Sequence, residues 1–258
     1  MLGLVLAIFS TSYVAWYFES FEMAAVYPFD ETYSTPEEAG APAMTERRFD
    51  TQDGARLVVW EAAPEAGRPT VFYLSGNAGS LTDRAPRFAT LTDAGLGVFA
   101  PAYRGSSGST GTPEETLLVG DAAALARSLD GPVVLYGESL GAAVAIRLAA
   151  MGVGDALVLE APFTSIPDLV AAQYPAEDLR SLITQTWDSL ASVGEVTQPL
   201  LVIHGEADRI VPIEMGRRVF QKAGSKQKRL LAVPDHGHTA LWTMDVRSEL
   251  MRFLGRGF

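Results

Sequence analysis

A serine, an aspartate and a histidine stand in this chain in settings that suit them to react together. Ser139 lies in Gly137-Glu138-Ser139-Leu140-Gly141, between the apolar run Val133 to Tyr136 and the Ala-rich stretch Ala142 to Met151. The pattern reads as strand, G-x-S-x-G and helix. A serine hydroxyl becomes reactive when it is presented at such a sharp turn, beside a base and at a helix N-terminus. Gly137 and Gly141 would remove Cβ atoms where strand and helix approach most closely. Asp208 follows 69 residues later in Gly205-Glu206-Ala207-Asp208-Arg209-Ile210-Val211-Pro212, and His238 a further 30 residues on in Pro234-Asp235-His236-Gly237-His238. Each sits just past an apolar run of strand length. The chemistry these types support is attack by Ser139 on a carbonyl, with His238 taking and returning the proton and Asp208 fixing the imidazole tautomer.

Plainer roles compete for several of these residues. Asp208 could be a turn or helix-capping aspartate, and Glu160, at the end of another apolar run, is a spare acid, with Asp235 a weaker one. His236 and His238 form H-x-H, but His204 is the only histidine left to complete a metal site, so no metal is expected, and His204 is expected to pack at a strand end. Covalent serine chemistry needs no organic cofactor either. For the oxyanion, the small-residue loop Ser75-Gly76-Asn77-Ala78-Gly79-Ser80 lets backbone approach a ligand closely, and the N–H groups of Asn77 and Leu140 are the candidate donors. Neither a G-K-[ST] ending nor G-x-G-x-x-G is present, which disfavours a nucleotide loop. Tyr103, in Pro101 to Ser109, and Phe163 are candidates to touch substrate, with a scaffold role as the alternative for the Tyr103-Arg104 turn.

Elements must bring these residues together. Apolar runs at Leu57–Trp60, Thr70–Leu74, Gly97–Pro101, Val133–Tyr136, Ala156–Glu160, Leu200–His204 and Arg229–Val233 alternate with helical patterns. Thr112-Pro113-Glu114-Glu115 reads as a capping box opening a helix with Leu118, Ala122, Leu125 and Leu129 on one face. Strand and helix in alternation predict an α/β fold, with a mostly parallel sheet covered by helices on both faces and sites beyond the carboxyl ends of the strands. Residues 162–198 would form a short cap whose apolar side chains, among them Ile166, Leu169, Tyr174, Leu182 and Trp187, either line an acyl pocket or pack the cap onto the body.

Composition sets outer bounds. With 258 residues, 48% hydrophobic and 20% charged, the chain can bury one sizeable core. A net charge of −11 argues against a nucleic-acid partner, and the absence of cysteine excludes disulfides and a thiolate nucleophile. The three lysines, Lys222, Lys226 and Lys228, cluster with Arg229 and read as a solvated helix end rather than an anion site.

The organisation expected is an N-terminal apolar segment at 1–30, a linker at 31–45 and one domain at 46–258. Met1 to Phe18 carries no charged side chain and as a helix would span roughly 27 Å, against about 30 Å for a bilayer core; residues 2–18 are the stretch expected to associate with a membrane. A membrane anchor, a helix packed on the domain and a cleaved signal peptide are its three readings. Acidic residues follow it and no basic residue precedes Arg47, so nothing holds that flank in the cytoplasm. The location expected is membrane-associated, single-pass with the domain outside the cytoplasm, and a cytoplasmic location stays open.

Assembled in this order, the motifs resemble the α/β-hydrolase superfamily, and within it the BEM46-like serine hydrolases that carry an N-terminal membrane segment. Ser75 to Gly79 is similar to H-G-N-A-G, Tyr103 to Gly108 begins as Y-R-G-Y-G-x-S does, Glu160 to Ser165 follows E-x-P-F-T-S, and His204 to Pro212 follows H-G-x-x-D-x-x-V-P. Two positions depart from the pattern: Ser75 stands where the family has His, and His236 where it has Gly. The resemblance implies an esterase, thioesterase or acyl-lipid hydrolase acting on a small-molecule ester or thioester. A peptidase, an acyltransferase, or a binding protein that kept the fold and lost turnover are the alternatives.

Overall fold

The computed structural model describes residues 20–175 and 180–255. The apolar segment at residues 2–18, with its three readings, lies outside the described residues. All seven expected runs are strands, as β2 (Arg56–Ala62), β3 (Thr70–Leu74), β4 (Gly97–Pro101), β5 (Val133–Glu138), β6 (Ala156–Glu160), β7 (Leu200–Gly205) and β8 (Lys228–Val233). An eighth, β1 (Thr45–Asp50), precedes them, and the sheet order is β1-β2-β4-β3-β5-β6-β7-β8. Strands β3 to β8 run parallel, whereas β2 is antiparallel to both β1 and β4.

Burial on both faces explains why the central strands are apolar throughout. Leu57, Phe72, Leu135, Leu157 and Val202 point into one layer, beneath α3 (Glu115–Ala126), α4 (Leu140–Ala150), α6 (Ser189–Val193) and α7 (Ile213–Lys222). Val58, Tyr73, Tyr136, Val158 and Ile203 point into the other, beneath α2 (Ala85–Asp93) and α8 (Met244–Leu254). Each such side chain withdrawn from water contributes about 1.5–3 kcal/mol of transfer free energy. Strand β1, by contrast, reads Thr-Glu-Arg-Arg-Phe-Asp and is exposed or half-buried along its length. It has no apolar run to announce it; its place at the sheet edge comes from pairing with β2 across a turn in which Gly54 N–H donates to Thr51. The Asp53-Gly54 pair is the turn signal that could have found the hairpin.

The capping box before α3 does not form. The helix begins at Glu115 behind an extended Glu114 that makes no side-chain cap bond. The Glu115 carboxylate instead accepts from the Trp187 N–H at 2.8 Å and from Arg147 at 3.0 Å, tying α3 to α4 and to the segment before α6. The cap carries α5 (Ile166–Gln173), a 3-10 turn at Arg180–Leu182 and the approach to α6. Trp187 is fully buried and Ile166 and Leu169 pack at the core edge, while Tyr174 and Leu182 stay exposed. Of the basic cluster, Lys222 ends α7, Lys228 at the start of β8 donates through Nζ to the carbonyls of Phe220, Gln221 and Ala223 at that helix end, and Arg229 pairs with Glu249.

Ahead of the sheet, a helix over residues 20–26 (α1) leads into chain that lies across the carboxyl ends of the strands. The Ser107 and Gly108 N–H groups donate to the carbonyls of Asp30 and Glu31, and the rings of Phe29 and Tyr103 stack at 5.4 Å. Among the described residues, no helix is long and apolar enough to cross a membrane.

Candidate active site

The turn between β5 and α4 is built on close backbone contact. A Cβ at Gly141 would lie 2.0 Å from the Leu74 carbonyl oxygen, and one at Gly137 would lie 2.3 Å from that of Gly141. Only glycine lets the helix start so near the strands. Ser139 between them is forced to φ 52°, ψ −110°, a conformation that costs a non-glycine residue on the order of 1–3 kcal/mol unless its surroundings over-determine it. They do so here: Ser139 N–H donates to the Glu160 carbonyl at 2.8 Å, and the Ser139 carbonyl accepts from Ala142 at 2.9 Å. The hydroxyl is thereby aimed away from the strand, above the first turn of α4.

His238 meets it there. The imidazole Nε2 lies 3.0 Å from Ser139 Oγ, and Nδ1 lies 2.8 Å from Asp208 Oδ2. The turn carrying His238 is seated against the Asp208 loop, because Ala207 N–H donates to the His236 carbonyl and Gly205 leaves room for that backbone. Asp208 Oδ1 accepts from the N–H groups of Ile210 and Val211 at 2.9 and 2.8 Å, which leaves Oδ2 for the ring. Burial acts to raise the Asp208 carboxyl, but the hydrogen bonds from His204 and His238, with the N–H of Val211, outweigh it and hold the group below the ordinary carboxylate range. An ionised Asp208 keeps the proton on Nδ1 and leaves Nε2 free to accept from the serine hydroxyl. In general, such a line allows a hydroxyl to give up its proton as it attacks.

The remaining candidates fall as follows. Leu140 is the first residue of α4, and the Asn77 loop runs alongside the elbow, where a Cβ at Gly76 would lie 3.5 Å from Ser139 Cβ. The Asn77 side chain turns away and donates to the Val26 carbonyl at 2.9 Å. Tyr103 and Phe163 are both buried in the core layer of α3 and α4, and the Tyr103 hydroxyl finds no partner among the described residues. Glu160 faces the opposite layer, bound by both Arg87 nitrogens at 2.7 and 2.9 Å and by the Tyr136 hydroxyl. His236 Nδ1 lies 2.6 Å from the Pro234 carbonyl. Buried His204 has Nε2 at 2.9 Å from the Val211 carbonyl and 3.5 Å from Asp208 Oδ2, with Gly216 of α7 making room for its ring.

A buried polar network beneath the elbow has no counterpart in the sequence reading. Glu138, the residue before Ser139, accepts from Arg84 at 2.9 Å and from the Tyr73 hydroxyl at 2.9 Å. Arg87 joins Tyr73 to Glu160, with its guanidinium 4.9 Å above the Trp242 ring. Burial opposes charge on Glu138, yet Arg84 and Arg87 hold its carboxyl below the usual value. The signal available was a charged residue inside an otherwise apolar strand end; its partners, 54 residues away in one case, follow no periodicity.

Comparison with known proteins agrees with this architecture. A model of the alpha/beta hydrolase family matches residues 67–179, and one described as serine aminopeptidase, S33, matches residues 168–243. The chain is 37% identical over 225 residues to an uncharacterised protein of Mycobacterium tuberculosis, covering 83% of this chain and 80% of that one. It is 33% identical to protein bem46 of Schizosaccharomyces pombe, over 70% of this chain and 65% of the relative. Identity is again 33% to lysophosphatidylserine lipase ABHD12 of Rattus norvegicus, over 64% of this chain and 48% of the lipase. The solved structure of the Pyrococcus furiosus esterase Pf2001 shares the fold at a TM-score of 0.73 and 20% identity, covering 90% of this chain and 96% of the esterase.

Proposed function

The chain belongs to the α/β-hydrolase family, in its BEM46-like branch, and from that premise we propose that it is a serine hydrolase cleaving carboxylic ester or thioester bonds of acyl or lipid-type substrates. The observation that carries the reading is the unbroken line of hydrogen bonds from Ser139 Oγ, at a positive-φ turn, through His238 to Asp208. Ser139 Oγ attacks the carbonyl carbon as His238 Nε2 takes its proton, and Asp208 stabilises the imidazolium. The tetrahedral oxyanion is received by the N–H groups of Asn77 and Leu140. Collapse expels the alcohol or thiol, which takes the proton from His238, and leaves the acyl group on Ser139. A water molecule that gives its proton to His238 then attacks the acyl-enzyme, and His238 returns that proton to Ser139 Oγ as the acid is freed. A lipid-type acyl group is favoured by the lysophosphatidylserine lipase among the relatives.

The test is labelling of purified protein by a fluorophosphonate probe with peptide mapping. Label on Ser139 that Ser139→Ala and His238→Ala both abolish is the expected result; an unlabelled, folded protein would favour a binding role. A series of esters of increasing chain length then bounds the acyl group, and a preference for acetyl counts against a lipid substrate. Membrane association through residues 2–18 completes the reading, and full release of the protein from membranes by alkaline carbonate would remove it.

A further inference from the structure

We propose that the chain ahead of the sheet, residues 22–30, is the brace of the oxyanion loop, acting through the side chains of Asn77 and Tyr27 as positioning residues. This rests on the reading of Ser139 as nucleophile and of Asn77 N–H as oxyanion donor.

The loop after β3 has weak anchorage of its own at its start. Ser75 Oγ is buried and finds no hydrogen-bond partner among the described residues, and Gly76 has no side chain to hold it. What fixes the next residue lies outside the loop: Asn77 Nδ2 donates to the Val26 carbonyl at 2.9 Å. Val26 ends α1, and the chain there is tied down on both sides. Tyr27 Oη donates to Gln185 Oε1 at 2.6 Å and accepts from Trp187 Nε1 at 3.0 Å, while Gln185 Oε1 also takes the Glu115 N–H at the start of α3. One turn earlier, the Glu22 carboxylate accepts from the backbone N–H groups of Thr184 and Gln185 at 2.7 and 2.8 Å and from the Thr184 hydroxyl at 2.7 Å. Beyond Tyr27, Phe29 stacks on Tyr103.

These bonds make one path, from cap through Tyr27 and Val26 to the Asn77 side chain, and the backbone N–H of Asn77 is aimed by where that side chain is held. Its chemistry is demanding of position. Losing one oxyanion donor costs about 10²–10³ in kcat, and a displacement of ~1 Å at a reacting group can cost about 10²-fold. The brace therefore acts on the transition state, where the oxyanion is formed, more than on the bound substrate.

The full chain is assayed with p-nitrophenyl butyrate, alongside binding of phenylboronic acid, which copies the tetrahedral adduct on serine. Asn77→Asp keeps the backbone N–H and the side-chain size but removes the donor to Val26, and Asn77→Leu, which removes the donor without adding a charge near the oxyanion, must show the same fall. We expect kcat to fall by about 10- to 100-fold, KM to hold within about 2-fold, and boronate affinity to fall with kcat. Tyr27→Phe removes the hydroxyl shared by Gln185 and Trp187 and moves kcat and boronate affinity the same way by a smaller factor. In the double variant the two factors do not multiply, because both act on one path. An unchanged kcat in Asn77→Asp, a boronate affinity that does not follow kcat, or factors that multiply would each overturn the brace. Should Asn77→Asp not fold, Tyr27→Phe decides alone: parallel loss of kcat and boronate affinity at constant KM supports the brace, and any other pattern overturns it. A wild-type protein that neither hydrolyses the ester nor takes label at Ser139 overturns the reaction reading instead.

Discussion

Asp208 divides its work between its two oxygens. Oδ1 closes the turn by accepting from Ile210 and Val211, and Oδ2 faces His238. A turn aspartate and a partner for histidine are alternatives in sequence; in the structure a single carboxylate closes the turn and also faces His238, since the turn bonds are what lock the second oxygen in place. Asp208→Asn tests the proposed role at this scale. The amide oxygen can still close the turn, but an amide N–H facing the ring would leave the proton on Nε2, where it cannot accept from Ser139. Turnover is expected to fall by about 10³- to 10⁴-fold with the fold retained, measured by ester hydrolysis and rate of Ser139 labelling; a loss under 10-fold would assign the orienting role elsewhere. The depressed carboxyl also carries a stability consequence. A group whose folded value lies below its unfolded one, about 3.9 for Asp, stabilises the native state above that pH and loses the contribution as pH falls through the folded value.

At the scale of elements, the join of β5 and α4 over α2 concentrates both close packing and buried charge. Glu138 sits at the end of β5 with Arg84 beside it, both side chains nearly out of solvent at 16% and 11% exposure. Arg84→Gln would leave the carboxylate buried without its ion, and is expected to destabilise the protein by about 3 kcal/mol at pH 7. Because Arg84 lowers the Glu138 value, the wild-type protein gains from the pair above the ordinary glutamate range, about 4.3, and loses that gain as pH falls through the folded value. The deficit of the variant should accordingly shrink on acidification, which urea titrations at neutral and acid pH would show; a constant deficit would mean the pair is not the cause. The same elements mark what is legible in sequence. Strands β3 to β7 announce themselves because strands covered on both faces must be apolar, and Ser139, Asp208 and His238 because they follow β5, β7 and β8 in glycine-bearing turns. Strand β1 does not, since an edge strand is held by main-chain bonds that any side chain permits. The Arg87–Glu160 pair and the seating of residues 22–30 across the site do not either, because contacts over 73 and more than 100 residues leave no periodic trace.

Taken as a whole, the molecule brings Ser139, Asp208 and His238 together from the carboxyl ends of β5, β7 and β8 within one sheet. The chain carries a net charge of −11, and many of its arginines pair with carboxylates, among them buried Arg104 between Asp53 and Asp121 and the more exposed Arg229 beside Glu249. Ser139 and His238 are 99 residues apart in the chain, and they meet only after β6 has added to β5, β7 to β6 and β8 to β7. Parallel pairings of this kind close long loops before contacts reward them, so they form slowly, and a chain of this length passes through partly assembled states. On dilution from urea, helical ellipticity should return ahead of reactivity toward a fluorophosphonate, with the two followed side by side in stopped flow and timed quench; coincident recovery would contradict the sequence of steps. On the proposed mechanism, reactivity at Ser139 is then a clock for the last strand to dock, and a chain released before residue 228 has emerged would carry the proposed nucleophile with no base.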